Sequence, residues 1–284
     1  MRTLFLAVLL VPFALIGQSD SAIVSYQRQA IYSVSGAFTE VDNWNAGGEN
    51  SSNVSFLLRE NWTKKGVNFT TVYLLEGNYG LSRQAGTLTK NADRLEFTTT
   101  LTGSPKTTEW NLSSQFNVRT QLAPGYAKGD TTRTPISTFG APIYGQYSFG
   151  LGNNFWEHWQ VFLSPFAGKS TTVLDADLRD KAAFGVDTGA TWRLEAGAKI
   201  TLNYNQQFSE AFSITAKSDI FYNYWGPLSA TDFMLDIIAL YQIKEAFSVN
   251  AHVQFIRDID QIDAWQRRSV LGVGLAYTIK QSVK

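Results

Sequence analysis

The clearest pattern in this chain is the alternation of apolar and polar residues over positions 110–122. The apolar face carries Trp110, Leu112, Phe116, Val118 and Leu122, and the polar face carries Asn111, Ser113, Gln115, Asn117, Arg119 and Gln121. A period of two predicts a β-strand with one face against an apolar medium and the other against a polar one. Strands of soluble proteins usually have about five or six residues, whereas a strand that crosses a bilayer needs roughly nine to eleven. The length therefore favours a membrane-crossing strand.

Eleven further segments repeat the alternation. It is most regular over residues 192–204, 213–225, 247–257 and 271–279, and in 192–204 every charged side chain lies on the polar face. It is less regular over residues 32–40, 53–62, 67–80, 95–103, 139–151, 156–168 and 232–243. Segment 32–40 is short and its two faces are poorly marked, so the pattern leaves open whether it is a true first strand. Together these segments predict an all-β chain of about twelve strands.

The connections between these segments alternate in length. Short connections are expected at 63–66, 104–107, 152–155, 205–212 and 244–245. Longer ones are expected at 41–52, 81–94, 123–138, 169–191 and 258–267, with 226–231 of modest length. Short periplasmic turns and long extracellular loops are typical of outer-membrane barrels. Both chain ends then fall on the short-turn side, which requires an even number of strands.

A transmembrane, antiparallel, up-and-down β-barrel accounts for these patterns better than a soluble β-sandwich. A sandwich would have shorter strands and charged outward faces, and it gives no reason for connection lengths to alternate. An Arg or Lys facing lipid at the bilayer midplane costs about 2–4 kcal/mol, which explains why charges avoid the apolar faces. Trp62, Trp110, Trp156 and Trp159 lie next to short turns, and Trp192, Tyr222, Tyr224 and Trp225 lie next to longer loops. This placement predicts two interfacial aromatic girdles.

The first 21 residues resemble a secretory signal peptide. Arg2 is followed by an apolar run from Leu4 to Ile16, and small residues follow at Gly17, Ser19 and Ser21. The run is too short to cross a bilayer as a helix. We therefore expect cleavage between about residues 17 and 21 and a single barrel domain over residues 22–284. The expected location is the outer membrane of a Gram-negative cell, with membrane lipid as the principal partner.

Composition excludes several classes of protein. The chain has no cysteine, so neither a disulfide framework nor a thiolate metal site is available. Its 24 basic residues balance 24 acidic ones. Without a basic field, nucleic acid is not expected as a partner. No cofactor is expected.

Several motifs resemble those of a Bacteroidota family of outer-membrane β-barrel proteins without an assigned function. The first is the loop NWNAGGENSS at residues 43–52. It is followed by YGL at 79–81, TQLAPGY at 120–126, LSPFAGK at 163–169 and AFGVD at 183–187. The resemblance extends across the mature chain. It implies a barrel fold and an outer-membrane location, and it implies no catalytic residues.

The polar faces predict the composition of the barrel lumen. The candidate lumen-lining residues are Arg59, Glu76, Glu96, Arg119, Arg193, Glu195, Lys199, Lys217, Asp219, Asp232, Asp236 and His252. Charges of mixed sign can pair internally, so strong ion selectivity is not expected, because it needs rings of one sign. Small inward residues at Gly197, Gly272, Gly274 and Ala276 are expected to leave space in the lumen.

Two functions remain open for such a lumen. The charges could line a passive channel for small polar solutes, or they could fill a narrow barrel that conducts little. A barrel of twelve strands lies between filled eight-stranded barrels and open sixteen-stranded porins, so size alone does not decide. The small inward residues favour the channel. A third hypothesis is an accessory or structural subunit that binds another outer-membrane protein through its loops or its lipid face.

An enzyme is not expected. Outer-membrane phospholipases use a Ser and His pair, and this chain has only His158 and His252 as candidate bases, without a nucleophile motif. Lipid hydrolysis is a remote alternative. The acidic pieces Asp175 with Asp177, and Asp258 with Asp260 and Asp263, lie in expected loops. They lack the glycine-centred spacing of a calcium loop, so we predict solvated loop tips rather than a metal site.

Overall fold

The fold consists almost entirely of β-strands. A computed structural model describes residues 23–39, 51–84, 86–103, 110–127, 132–156, 158–244 and 246–283. The barrel strands are β1 (Ile23–Thr39), β2 (Ser51–Gly66), β3 (Phe69–Gln84), β4 (Thr87–Gly103), β5 (Asn111–Thr120), β8 (Ile143–Trp156), β9 (Trp159–Thr172), β10 (Trp192–Gln207), β11 (Phe212–Asn223), β12 (Asp232–Lys244), β13 (Phe247–Asp258) and β14 (Ile262–Val283). Between β5 and β8, the strands β6 (Gly125–Tyr126) and β7 (Pro135–Ser137) form a separate small hairpin. The expected signal peptide lies outside the described residues.

The twelve strands form one closed antiparallel barrel. Each pairs with its neighbours in the chain, and β1 closes the circle by pairing with β14 from Tyr26↔Val283 to Gly36↔Val273. The predicted up-and-down barrel of twelve strands is therefore confirmed. Segment 32–40 belongs largely to β1, which begins well before it at Ile23.

The alternation in the sequence separates side chains that face the lumen from side chains that face outward. In β5, Ser113, Gln115 and Asn117 are buried in the barrel, whereas Leu112 is 55% and Phe116 37% exposed on its outer wall. The other regular strands follow the same rule. Apolar side chains thus cover the outer wall, and polar side chains meet in the lumen.

One ion pair breaks this rule on the outer wall. Arg28 on β1 donates to both carboxylate oxygens of Glu60 on β2, at 3.0 Å from Nε and 2.6 Å from Nη2, and Tyr32 also contacts this carboxylate. Glu60 shares the outward face of β2 with Phe56, which is 46% exposed, while the adjacent Arg59 lines the lumen. The sequence pattern predicted outward faces nearly free of charge. A pair that neutralises itself is compatible with an apolar surrounding.

Connections join the strands at two ends of the barrel. The turn end carries the connections at 67–68, 104–110, 157–158, 208–211 and 245–246, together with the start of β1 and the end of β14. The loop end carries those at 40–50, 85–86, 121–142, 173–191, 224–231 and 259–261. The prediction of long loops at 81–94 and 258–267 is wrong, because most of both segments is strand. β3 ends only at Gln84 and β4 begins at Thr87; likewise β13 ends only at Asp258 and β14 begins at Ile262. Hairpins that extend into water need no apolar face, so hydrophobic alternation does not reveal them.

At the loop end, residues 135–142 and 173–191 form a small folded unit that we call the cap. A short helix, α1 (Ala176–Asp180), is capped by Asp175, whose carboxylate accepts from the Leu178 amide at 3.1 Å. Leu178 packs with Ala141, Val173 and Val186 in a hydrophobic core outside the barrel. No helix in the described ranges is long and apolar enough to span a membrane. The connection between β9 and β10 is therefore held by this core as well as by the two strands that it joins.

A bulge in β9 changes which side chains face the lumen. Gly197 pairs with Ala167 and Lys199 pairs with Ser164, so that Pro165 and Phe166 lie opposite one residue of β10. Before the bulge Phe162 and Ser164 are buried, and after it Ala167, Lys169 and Thr171 are buried. An extra residue reverses the inward parity of the strand. Lys169, predicted at the start of a loop, therefore points into the barrel.

The small inward residues do not simply leave open space. A Cβ on Gly197 would lie 1.9 Å from the carbonyl oxygen of Tyr222, and one on Gly274 would lie 1.9 Å from that of Val34. At Gly272 the nearest atom would be Ser35 Oγ at 2.6 Å. The expectation that these residues widen the lumen is wrong at these positions. Their missing side chains let neighbouring strands approach closely.

Candidate functional site in the barrel lumen

Arg94 reaches across the lumen. Its Nη1 lies 2.5 Å from Asp236 Oδ2, its Nη2 lies 2.7 Å from Glu96 Oε2, and the same Nη2 is 3.6 Å from Glu76 Oε2. Arg94 lies on β4 and Asp236 on β12, and these strands are six positions apart in either direction around the barrel. The Arg94 to Asp236 ion pair therefore joins opposite walls.

The side chain of Lys217 also crosses the lumen, next to Arg94. Lys217 Nζ on β11 lies 2.8 Å from Glu96 Oε1 on β4 and 3.3 Å from Asp219 Oδ2. Lys199 Nζ is 3.3 Å from Asp219 Oδ1, and it donates to two carboxamide oxygens, Gln115 Oε1 at 2.9 Å and Gln146 Oε1 at 3.0 Å. These side chains occupy the middle of the lumen.

We call this layer the central belt. It consists of four cations and four anions, namely Arg59, Arg94, Lys199 and Lys217 with Glu76, Glu96, Asp219 and Asp236. Its formal charge is zero. Glu96 and Lys199 are each only 2% exposed as residues. Charges buried this deeply are stable only when they are paired and hydrogen-bonded.

His252 extends the central belt toward β13. Its Nε2 lies 2.9 Å from Asp236 Oδ1, while its Nδ1 faces two donors, Asn78 Nδ2 at 3.0 Å and Arg268 Nη1 at 3.2 Å. This environment assigns the acceptor role to Nδ1 and the proton to Nε2. In the described part of the chain, His252 has no hydrogen bond to a hydroxyl group that could serve as a nucleophile.

A second layer, the loop-end belt, lies nearer the loop end. Lys169 contacts Asp232, and its Nζ is 3.7 Å from Glu195 Oε2 and 3.8 Å from Asp258 Oδ2. Arg193 lies 2.8 Å from Glu195 Oε2, contacts Asp260, and donates to the Gly185 carbonyl at 2.8 Å. The Arg193 side chain thus ties the cap and the β13 to β14 turn to the barrel wall.

The twelve predicted lumen residues all face the interior, and most of them join these belts. Arg59, Glu76, Glu96, Lys199, Lys217, Asp219, Asp236 and His252 belong to or contact the central belt; Arg193, Glu195 and Asp232 belong to the loop-end belt. Arg119 lies between the belts, 4.9 Å from the Tyr144 ring centre and 3.1 Å from Met234 Sδ.

Sequence reasoning missed the two cations around which the belts are built. The pattern predicts a loop at Arg94, although Arg94 lies two residues before Glu96 and therefore on the same face, so a strand predicted one residue longer would include it. The pattern predicts Lys169 at the start of the longest loop. The bulge at Pro165 and Phe166 changes the parity before it, so the sequence pattern does not show that this side chain points inward. Asp258 was expected at a solvated loop tip, but it is 4% exposed and faces Lys169. Within the described residues, no group of three or more His, Asp or Glu side chains has the arrangement of a metal site.

Below the central belt the lumen widens into a cavity that we call the cup. It has a volume of about 540 Å³ and reaches the turn end at the β10 to β11 turn. Its lining includes Arg59, Asn61, His158, Asn205, Thr215 and Leu240. The cavity between the two belts is far smaller, about 50 Å³. The described side chains therefore close the lumen from its middle toward the loop end and leave the turn-end half accessible.

Comparison with known proteins relates part of the chain to a family. A family model described as a protein of unknown function, DUF3078, matches residues 38–126. A search of curated proteins found no match to the chain. The resemblance to a family without an assigned function is thereby supported, while the Bacteroidota origin and the outer-membrane assignment of that family stay predictions.

The solved structures that match this chain are remote in sequence. An outer-membrane channel from Pseudomonas putida F1 is 11% identical with a TM-score of 0.40, covering 92% of this chain and 96% of that one. Outer-membrane phospholipase A from Escherichia coli is 14% identical with a TM-score of 0.36, covering 89% and 98%. The translocator domain of the autotransporter NalP from Neisseria meningitidis is 9% identical with a TM-score of 0.34, covering 97% and 95%.

Proposed function

We propose that this protein is an outer-membrane β-barrel that conducts small polar solutes and that its lumen is closed in the resting state. The observation that carries the proposal is the Arg94 to Asp236 ion pair, which closes a polar lumen with side chains from opposite walls. Side chains can change rotamer without unfolding the barrel, and opening the lumen requires this contact and the Lys217 to Glu96 pair beside it to break. The net charge of zero in the central belt predicts weak ion selectivity.

The membrane location is part of this proposal. Leu112, Leu194, Leu271 and Leu275 are 42–71% exposed on the outer wall, as lipid-facing side chains would be. Trp192 and Trp225 at the loop end, with Trp159 at the turn end, occupy the levels expected of interfacial girdles. Export by the amino-terminal signal peptide and contact with outer-membrane lipid belong to the same proposal.

Single-channel recording in planar bilayers tests this function. We expect the unaltered protein to be mostly closed and to show brief openings under applied voltage. The double variant Arg94→Gln with Asp236→Asn keeps hydrogen-bonding groups but removes the cross-lumen charges, so its openings should be longer and more frequent. The matched control is Arg28→Gln with Glu60→Gln, which neutralises an ion pair of similar geometry on the outer wall. If neither the parent nor the central-belt variant ever conducts, the conduit proposal is wrong.

An accessory subunit is the second candidate, and the cap at the loop end favours it. Ile136 is 54%, Phe139 63% and Leu174 52% exposed, and the Leu174 amide donates to the Gly140 carbonyl next to Phe139. Clustered exposed apolar side chains often mark a protein contact. A photoreactive residue at position 139 should then give one stoichiometric cross-link in native membranes, and Leu174→Ser should abolish it. A protein that cross-links only to lipid would contradict this function.

We also propose that the protein is not an enzyme. His252 is held by Asp236, Asn78 and Arg268 within the central belt. His158 lies in the cup, with its ring edge toward Tyr204 at 6.4 Å between ring centres. Neither arrangement supplies an activated hydroxyl among the described contacts. This statement would be overturned if the purified protein hydrolysed phospholipid and if His252→Ala or His158→Ala abolished that hydrolysis.

A further inference from the structure

The lining of the cup mixes apolar and polar side chains. Ile31 on β1, with Ile238 and Leu240 on β12, turn apolar side chains inward at positions where the barrel otherwise carries polar ones. The rest of the lining is rich in carboxamides and hydroxyls, some of them on the same strands, and it includes one carboxylate, Glu210: the polar uncharged side chains are Gln29, Asn61, Asn205, Gln207, Gln242, Ser213, Thr215 and Thr278. The closure of the lumen by the central belt makes no use of the apolar side chains. Apolar side chains inside a polar lumen are instead suited to the apolar part of a ligand.

The mouth of the cup carries an available cation. Lys280 on β14 donates from Nζ to Gln207 Oε1 on β10 at 3.1 Å, and these strands are four positions apart around the barrel. The bond therefore crosses the mouth. Its acceptor is uncharged, so an anionic group could replace Gln207 and gain a charge-assisted hydrogen bond. Arg59, at the inner end of the cup, is already paired with Glu76 at 2.8 Å.

We infer that the cup binds one amphipathic molecule, with its apolar body against Ile31, Ile238 and Leu240 and its anionic head group at Lys280. The volume of about 540 Å³ falls within the range of about 300–1,000 Å³ that is usual for small-molecule sites. The carboxamides of the cup lining supply further donors for the head group. The inference rests on the closed lumen of the proposed function, because the central belt forms the inner end of the cup, but it does not require conduction.

The absence of cysteine from the chain allows a direct test. Thr215→Cys places a single thiol inside the cup, and Thr89→Cys places one on the exposed β4 hairpin at the loop end as the matched control. The protein is held in nanodiscs and alkylated with a small polar maleimide in the presence of decanoate. Decanoate at about ten times its dissociation constant should slow the reaction at position 215 about tenfold. The reaction at position 89 should not change.

Two comparisons separate this site from non-specific protection. Acetate has the head group without the apolar body and should leave position 215 reactive. Lys280→Gln should weaken protection by decanoate while leaving protection by uncharged decanol unchanged. Full reactivity at position 215 in saturating decanoate, or equal protection by acetate, would overturn the inference. Because alkylation is measured without a membrane current, a failure here is distinguishable from a failure of the conductance experiment.

Discussion

Arg94 Nη1 and Asp236 Oδ2 lie 2.5 Å apart although their strands stand on opposite sides of a twelve-stranded barrel. Such a contact is possible only because the side chains reach inward from both walls. It places a buried guanidinium among three carboxylates, those of Glu76, Glu96 and Asp236. We therefore expect the proposed closure of the lumen and the stability of the barrel to depend on the same interaction.

The first prediction concerns this guanidinium. Arg94→Ala leaves Glu96 and Asp236 buried with too little positive charge, so it should lower the free energy of unfolding by about 3–5 kcal/mol. The measurement is urea unfolding of the protein in lipid vesicles. Arg94→Ala with Asp236→Ala should cost less than the sum of the two single variants, because both partners are then removed. Arg83→Ala, at an exposed position of β3, is the control. Strictly additive effects would contradict the ion pair.

The second prediction concerns Lys169, whose ammonium lies among Asp232, Glu195 and Asp258. Lys169→Ala removes the cation and leaves three carboxylates facing one space. Carboxylate oxygens are the ligands that Ca²⁺ prefers. The variant should therefore unfold at a lower temperature than the parent and recover part of the loss when Ca²⁺ is added. Lys199→Ala should recover much less, because among the described residues Lys199 forms an ion pair with one carboxylate, that of Asp219. Equal responses of both variants to Ca²⁺ would show that the carboxylates do not converge.

The third prediction concerns backbone approach at Gly197. The Cβ of Gly197→Ala would lie 1.9 Å from the Tyr222 carbonyl oxygen, so β10 and β11 would have to separate locally. We expect a loss of about 1–3 kcal/mol in unfolding free energy, as for other overpacked sites. In Gly103→Ala the Cβ would lie 3.6 Å from the Leu112 carbonyl oxygen, an ordinary contact, and the effect should be small. The assay is again vesicle unfolding, and similar losses in both variants would refute the steric explanation.

The fourth prediction concerns the ion pair on the outer wall. Glu60→Ala leaves the Arg28 guanidinium on the outer wall without its bidentate partner, and in the proposed location this wall faces lipid. An unpaired arginine on a lipid face costs about 2–4 kcal/mol near the midplane and less toward the interface. We expect slower insertion into vesicles and lower stability, while Arg28→Ala with Glu60→Ala should restore both in part. If Glu60→Ala inserts and unfolds like the parent in lipid, the pair does not face the membrane.

The sequence by itself determined the architecture and the sorting of side chains. A period of two recurs in 110–122 and 192–204 with charges on one face, and only a closed barrel gives every such strand an apolar outside and a polar inside. The number of strands and the direction of the twelve predicted lumen residues follow from the same periodicity. These are local properties, because the direction of a side chain in a regular strand depends only on its parity.

Only the tertiary structure decided what the lumen contains. The pairing of Arg94 with Asp236 joins residues 142 positions apart in the chain, and which side chains meet across a barrel depends on strand stagger and on bulges, which parity does not encode. The bulge at Pro165 and Phe166 turns Lys169 inward, and the missing side chain of Gly197 admits a neighbouring carbonyl instead of leaving space. The contacts in the middle of the lumen and the mixed lining of the cup depend on distances between strands. No single segment of the sequence specifies these distances.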